Sequence, residues 1–282
     1  MKKRIITGIF AFLALAPVLI FSGTFVLPTA ISTVIVVSLY ELYRCMGVHK
    51  KLYLTIPSYL MTVLSTFSVR YADIFGGYAR VCMMLFVVLA FYLVLTFVSI
   101  IWSHGKLPFN DGLSVFVMTV YIISAMTSLI FVRDFGDSGI MLFILVFIGA
   151  FVTDIFAYFT GVFFGKHKLI EDVSPKKTIE GSIGGIVFCT VSFVLFGVIA
   201  DLAFGKEANL IFMAISGVII SIISQVGDLI MSVVKRHYGI KDYGRLFPGH
   251  GGMLDRLDSI LVVSLCMAAI CVFSSLMGIR IM

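Results

Sequence analysis

Long apolar runs separated by short polar stretches dominate the chain. Nine runs approach or reach the roughly 20 apolar residues that a membrane-spanning helix needs. Because lipid leaves no backbone polar group unpaired, each run is predicted to be a helix despite its many Val and Ile residues. The regular alternation of a membrane β-barrel is absent. The predicted spans are residues 5–21, 25–43, 54–69, 81–102, 113–132, 141–164, 182–202, 210–234 and 259–279.

The composition agrees with a polytopic membrane protein. Of the 282 residues, 60% are hydrophobic and 13% are charged. Soluble domains contain about 45–50% apolar and about 25% charged residues. A soluble enzyme, a disordered chain and a disulfide scaffold are therefore excluded.

The basic residues predict which ends of the spans face the cytoplasm. With nine crossings and a cytoplasmic N-terminus, 16 of the 21 Lys and Arg residues fall on cytoplasmic segments. No clear small-residue cleavage site follows the basic start of the chain, so the first run is expected to remain as a span. We predict an all-α polytopic membrane protein with about nine transmembrane helices and a cytoplasmic N-terminus.

The two parts of the chain differ in polarity. Residues 1–140 contain apolar spans and short loops, and we interpret them as a scaffold and a candidate region for dimer contacts. From about residue 151 onward, polar residues enter the spans and two long basic loops appear. Residues 141–282 are therefore predicted to form the catalytic transmembrane region, with its active site at the cytoplasmic face.

The eighth predicted span carries a polar face. Ser221, Gln225, Asp228 and Ser232 are spaced by four, three and four residues, which places them on one side of a helix. A carboxylate within a membrane helix is costly and normally faces a partner or a watery cavity. The alternative is a polar seam that joins two helices, although Ser or Asn usually suffices for that purpose.

The sixth predicted span shows a similar pattern. Asp154, Tyr158, Gly161 and Gly165 share one helical face. The glycines would allow a second helix or a ligand to approach the backbone closely. A simple packing face with one buried acid remains the alternative interpretation.

The loop after this span is basic and precedes a glycine-rich helix start. It contains four lysines and, in its second part, the stretch Ser174-Pro175-Lys176-Lys177-Thr178-Ile179-Glu180-Gly181. Lysines and helix N-termini both bind phosphate groups. Ordinary cytoplasmic topology explains lysines in any such loop, but it does not explain this cluster. The spacing of a Walker A loop is absent.

Residues 232–258 form the most distinctive segment, SVVKRHYGIKDYGRLFPGHGGMLDRLD. Asp255 follows Asp228 by 27 residues, so a glycine loop that folds back would bring the two carboxylates together. Carboxylates with Lys and Arg at a membrane surface suit Mg²⁺ and a polyphosphate. His250 lies within the glycine-rich part, but a single loop histidine is usually neither a metal ligand nor a base.

These residues resemble the signature of the phosphatidate cytidylyltransferases, or CDP-diacylglycerol synthases. The resemblance covers roughly the C-terminal half in detail, whereas the N-terminal half agrees only in being apolar helices. It rests on Ser174-Pro175-Lys176-Lys177-Thr178-x-Glu180-Gly181, Ser224-Gln225-x-Gly227-Asp228, Lys235-Arg236, Lys241-Asp242-x-Gly244, Pro248-Gly249-His250-Gly251-Gly252 and Asp255-Arg256-x-Asp258.

The resemblance implies that CTP and phosphatidic acid react to give CDP-diacylglycerol and pyrophosphate. It further implies an integral membrane enzyme that requires Mg²⁺, responds to K⁺ as a second cation, and forms a homodimer. Metal binding is implied for Asp228 and Asp255. No nucleic-acid partner is expected, and the expected location is a bacterial plasma membrane.

The predicted site residues form three groups. The catalytic group is Asp228, Asp255, Lys241, Asp242 and Arg256. The substrate-binding group is Ser174, Lys176, Lys177, Thr178, Lys235, Arg236, His250, Gly251 and Gly252. Asp154, Asp242 and Asp258 are candidates for supporting the metal ligands or for holding a second cation.

Three alternative functions fit parts of the pattern. A relative that transfers the cytidylyl group to another lipid would have a similarly apolar acceptor site, so the sequence separates it poorly. An ion-coupled transporter accounts for acids within spans, but transporters commonly contain two related halves and midplane sites. A structural membrane subunit leaves the pattern from Asp228 to Asp258 unexplained.

Overall fold

A computed structural model describes residues 16–247 and 251–281. Within these residues, eight helices are long and apolar enough to cross a membrane. The helices are α1 Val26–Cys45, α2 Leu52–Arg70, α3 Tyr78–Trp102, α4 Phe109–Arg133, α5 Gly139–Phe164, α6 Ile179–Phe204, α7 Leu210–His237 and α8 Leu254–Met277. The strands are β1 Lys168–Ile170 and β2 Ser174–Thr178.

The structure confirms an all-α integral membrane protein. Eight of the nine predicted spans coincide with these helices, and most of the first, residues 5–21, lies outside the described residues. Most helices extend a few residues beyond the apolar runs, because side-chain caps and polar ends continue the backbone hydrogen bonding. Thus Asn209 begins α7 by accepting a hydrogen bond from the Phe212 N–H at 3.1 Å.

The chain divides into two compact units, and the division differs from a cut at residue 140. The first unit contains the described residues up to Phe131 together with Ile240–Arg256, and the second contains Val132–Gly239 and the described residues from Leu257. The segment with the glycines of the signature therefore belongs to the same compact unit as the N-terminal helices.

Hydroxyl pairs link the helices of the first unit. Ser32 on α1 and Thr66 on α2 share a hydrogen bond at 2.6 Å, and Tyr43 on α1 shares one with Thr119 on α4 at 2.7 Å. All four side chains are buried. Such bonds satisfy polar groups within an apolar interior and fix the register of neighbouring helices.

Small residues bring the helices of the second unit together. A Cβ atom at Gly149 on α5 would meet the Ile220 side chain on α7 and the Phe193 ring on α6. At Gly217 on α7, a Cβ atom would lie 2.9 Å from the Thr190 Cα atom on α6. These close approaches are typical of helices packed in lipid, where backbone proximity replaces the hydrophobic effect as the driving force.

A small β-hairpin is the one sheet among the described residues. Strands β1 and β2 pair antiparallel, with Lys168 opposite Thr178 and Ile170 opposite Ser174. The Lys168 ammonium donates to the Pro175 carbonyl at 2.6 Å, which closes the hairpin. The sequence predicted only a basic loop here, because a polar and lysine-rich stretch carries no clear strand pattern.

Candidate active site

An ion pair joins the basic hairpin to the polar face of α7. Lys177 Nζ lies 2.6 Å from Asp228 Oδ2, and the two side chains are 25% and 27% exposed. The same ammonium lies 3.5 Å from the Gln225 carbonyl, to which it donates. The carboxylate that the sequence singled out within a span therefore has a lysine partner from the hairpin, as the high cost of an unpaired charge demands.

Asp258 links the ion pair to a further acid, Asp154. Asp258 on α8 interacts electrostatically with the carboxylates of Asp228 and Asp154 and with the Lys235 ammonium. Ser259 Oγ donates to Asp154 Oδ2 at 3.0 Å, which ties α8 to α5. We call Asp154, Asp228 and Asp258, with Lys177 and Lys235, the acidic cluster. All five belong to the second unit.

The backbones of α7 and α8 approach closely beside this cluster. A Cβ atom at Gly227 would lie 2.8 Å from the Asp258 carbonyl oxygen and 3.0 Å from a Val262 methyl group. A larger residue at position 227 would push the two helices apart. Gly227 therefore sets how near the carboxylates of the adjacent Asp228 and of Asp258 come to one another.

The polar face of α7 both joins neighbouring helices and carries a carboxylate with a charged partner, so both interpretations left open by the sequence apply. Thr153 Oγ1 donates to Ser221 Oγ at 3.0 Å, and Gln225 Nε2 donates to the Ser182 carbonyl at 3.3 Å. These residues form a polar seam with α5 and α6. Ser224 Oγ is buried and has no hydrogen-bond partner among the described residues. The seam thus supports the helix packing, and Asp228 lies where the seam meets the hairpin.

The start of α6 fixes the hairpin against α5. Thr178 caps α6 by accepting a hydrogen bond from the Gly181 N–H at 3.1 Å. A Cβ atom at Gly181 would lie 2.6 Å from the Ala157 carbonyl, and one at Gly161 would lie 2.9 Å from Thr178 Oγ1. The glycine spacing on α5 allows either a helix or a ligand to approach, and at this point the neighbour is helix α6. Thr178 consequently contributes a helix cap beside Lys177.

Glu180 binds the short segment that leads from α5 into the hairpin. Its carboxylate accepts hydrogen bonds from the backbone N–H groups of Lys166 and His167, at 3.1 Å for Lys166. His167 Nδ1 lies 2.7 Å from Glu180 Oε1. These contacts fix the short connection between α5 and β1, and thereby the path of the strand that carries Lys177.

Asp255 braces the glycine-rich segment of the first unit. Its Oδ2 atom accepts hydrogen bonds from the Tyr243 N–H at 2.8 Å and from the Gly252 N–H at 2.9 Å. The side chain is only 5% exposed. Gly251 has a φ of +88°, which few residues other than glycine adopt. We call residues 243–247 and 251–255 the glycine loop.

Glu41 on α1 also contacts this loop, and the sequence interpretation missed it. Its carboxylate accepts hydrogen bonds from the N–H groups of Met253 and Leu254, each at 3.0 Å. The side chain is buried, at 6% exposure. The available signal was an acid in an otherwise apolar span, which is a functional hypothesis by default.

The remaining predicted residues differ in exposure. Lys176, Arg236, Lys241, Asp242 and Arg256 are exposed, whereas Ser174 and Lys235 are half-buried. His250 lies outside the described residues. Ser174, Lys176 and Arg236 belong to the unit of the acidic cluster, and Lys241, Asp242, Gly251 and Arg256 to the unit of the glycine loop. The proposed pairing of Asp228 with Asp255 joins residues of different units and stays a prediction.

The acidic cluster offers the donor type that Mg²⁺ prefers. Within residues 16–247 and 251–281, no group of three or more His, Cys, Asp or Glu side chains is arranged to hold a metal ion by itself. Mg²⁺ usually takes one or two carboxylates and completes its shell with waters and substrate phosphates. The carboxylates of Asp228, Asp154 and Asp258 are donors of this type, and the assignment of Mg²⁺ to Asp228 and Asp255 stays a prediction.

Comparison with known proteins identifies the family. The family model described as "Cytidylyltransferase family" matches residues 2–274. The phosphatidate cytidylyltransferase of Bacillus subtilis is 33% identical over 271 residues, covering 93% of this chain and 94% of that protein. Those of Staphylococcus aureus and Staphylococcus epidermidis are 31% and 29% identical, covering 93% of this chain and 96% of each relative. The chain therefore belongs to the cytidylyltransferase family of enzymes.

Proposed function

We propose that this protein transfers the cytidylyl group of CTP to phosphatidic acid, giving CDP-diacylglycerol and pyrophosphate. The observation that carries the proposal is the Lys177–Asp228 ion pair, which joins two residues of the signature at the polar face of a membrane helix. Relatives named phosphatidate cytidylyltransferase along nearly the whole chain support the choice of acceptor.

The reaction brings two anions together, so charge neutralisation is the main requirement. The lipid phosphate is already ionised near neutral pH, and it attacks the α-phosphorus of CTP without a strong general base. Lysine and arginine side chains hold the phosphate groups and offset the charge on the departing pyrophosphate. We assign this role to Lys176, Lys177, Lys235, Arg236, Lys241 and Arg256.

The chain's carboxylates are assigned to cations. Held by these residues, Mg²⁺ would supply charge neutralisation for the phosphate groups and for the departing pyrophosphate. As the resemblance implies, we assign Asp228 and Asp255 to Mg²⁺, and we assign Asp154, Asp242 and Asp258 to support these ligands or to hold K⁺. Until substrate arrives, the Lys177 ammonium balances the charge of Asp228. Incoming phosphate would then compete with Asp228 for that ammonium.

The membrane setting completes the proposal. The lipid phosphate enters sideways from the bilayer, while CTP enters from the aqueous side. We place the site at the cytoplasmic face of a bacterial plasma membrane, because most basic residues fall on segments predicted to be cytoplasmic. We further propose a homodimer with no nucleic-acid partner.

The test measures transfer of label from α-labelled CTP into the lipid phase. Purified protein in detergent is supplied with phosphatidic acid, Mg²⁺ and K⁺. Transfer is expected in the wild type and should be lost with EDTA and in Asp228→Asn and Asp255→Asn. Asp137→Asn, an exposed acid outside the cluster, is the matched control and should remain active.

Two outcomes would contradict parts of the proposal. Near-normal activity in folded Asp228→Asn or Asp255→Asn would remove that residue from the metal assignment. If folded wild-type protein transfers no label to several phosphatidic acids, the acceptor assignment fails, and other lipid phosphates would be tested next.

A further inference from the structure

A phosphate site would need free backbone amides. In the glycine loop, these amides instead donate hydrogen bonds to carboxylates of the protein itself. The N–H group of Gly252 points to Asp255 Oδ2, and those of Met253 and Leu254 point to the two oxygens of Glu41. Free N–H groups at a helix N-terminus are what bind phosphate there. In this protein, three successive amides at the start of α8 are already used by its own acids.

At two glycine positions of the loop, a side chain would collide with Glu41. An ideal Cβ atom at Gly244 or at Gly252 would overlap the Glu41 carboxylate, lying 2.6 Å from its carbon atom in each case. Neither glycine has a positive φ, so backbone conformation does not require glycine at these positions. Gly251 differs, because its φ of +88° does favour glycine.

We propose that Glu41 is a positioning residue for the glycine loop, which we assign to the nucleotide, and that Gly244 and Gly252 are glycines in order to admit its carboxylate. This inference rests on the proposed function. It means that side chains of the loop bind phosphate, and that the backbone amides of residues 252–254 do not. Glu41 holds the start of α8, and the following residues, Asp255 and Arg256, take their orientation from it.

The first experiment uses Glu41→Gln, which keeps the length and one acceptor oxygen but lacks the second. Hydrogen exchange of the peptide that covers residues 251–255 should be at least about tenfold faster, because one loop amide loses its acceptor. The Michaelis constant for CTP should rise about tenfold, while that for phosphatidic acid and the thermal midpoint change little. Glu207→Gln makes the same chemical change at an exposed site and should alter neither quantity.

The second experiment is a double-mutant cycle between Glu41→Ala and Gly252→Ala. Alone, Gly252→Ala should raise the Michaelis constant for CTP about tenfold, since its methyl group displaces the Glu41 carboxylate. In the Glu41→Ala background, the same substitution should change it less than about twofold. An equal effect in both backgrounds would overturn the proposal, because Gly252 would then serve close approach of a phosphate.

Other results separate this inference from the proposed function. A fall in kcat that follows the folded fraction, with an unchanged Michaelis constant for CTP, would assign Glu41 to stability alone and overturn the inference. Unchanged exchange in Glu41→Gln would also overturn it. If wild-type protein transfers no label, the proposed function fails. Hydrogen exchange, and a double-mutant cycle of thermal stability with the same variants, would still decide whether Glu41 positions the loop.

Discussion

Replacing Lys177 or Asp228 tests whether their ion pair stabilises the second unit. The two charged atoms lie 2.6 Å apart, and each side chain is about three-quarters shielded from solvent. Exposed pairs contribute about 0.2–1 kcal/mol, whereas removing one partner of a buried pair costs about 3–5 kcal/mol. For this intermediate burial we expect a coupling energy of about 1–3 kcal/mol between Lys177→Met and Asp228→Asn.

The two single substitutions should differ in size. Lys177→Met removes the cation that balances Asp228, while the electrostatic interactions among Asp228, Asp258 and Asp154 persist. Asp228→Asn removes one of the negative charges and so relieves part of that repulsion. We therefore expect Lys177→Met to lower the free energy of unfolding by about 2–4 kcal/mol, and Asp228→Asn by less.

The assay is unfolding by SDS in mixed micelles, followed for the wild type, both single variants and the double variant. Lys176→Met is the matched control, because Lys176 neighbours Lys177 in the sequence but is exposed. We expect it to change the free energy of unfolding by no more than about 0.5 kcal/mol. Additivity within about 0.3 kcal/mol would refute the coupling. A larger loss for Asp228→Asn than for Lys177→Met would refute the electrostatic reasoning about the acidic cluster.

Three further predictions concern the surroundings of the cluster. Thr178→Ala removes the cap on the Gly181 N–H and should cost about 1 kcal/mol in the same unfolding assay, with Thr178→Ser largely retaining stability. Gly227→Ala places a methyl group against the Asp258 carbonyl and should cost about 1–3 kcal/mol, whereas the exposed Val226→Ala should not. Glu180→Gln weakens the hairpin entry and should speed trypsin cleavage there; an unchanged cleavage rate would contradict that role.

The sequence predicted the helices well because lipid imposes a simple rule. A run of about 20 apolar residues must be helical when no water is available to its backbone, whatever its content of β-branched residues. The hairpin escaped prediction because Lys168 and Ser174–Thr178 carry no alternation of apolar and polar residues. The hairpin instead lies next to the capped start of α6, where Thr178 both ends β2 and accepts from the Gly181 N–H.

The candidate site was predicted unevenly for a related reason. Asp228 stood out because a charge within a span is costly, and its spacing from Ser221 and Gln225 defined a helical face. Glycine residues are less informative in a sequence, because glycine is used for different reasons. Gly251 has a positive φ, whereas Gly252 leaves room for a neighbouring side chain. The backbone φ and the packing of Glu41 against the loop together distinguish these two causes.

The contact between Glu41 and the glycine loop also constrains how the protein is made. Glu41 is synthesised 212 residues before Met253, whose N–H it accepts. At about 5–20 residues per second, that separation corresponds to roughly 10–40 s of translation. Throughout this interval the carboxylate lacks its loop amides, and an uncompensated charge in lipid is unfavourable. The helix that carries Glu41 is thus made early, but Glu41 completes its packing only after the start of α8 has left the ribosome.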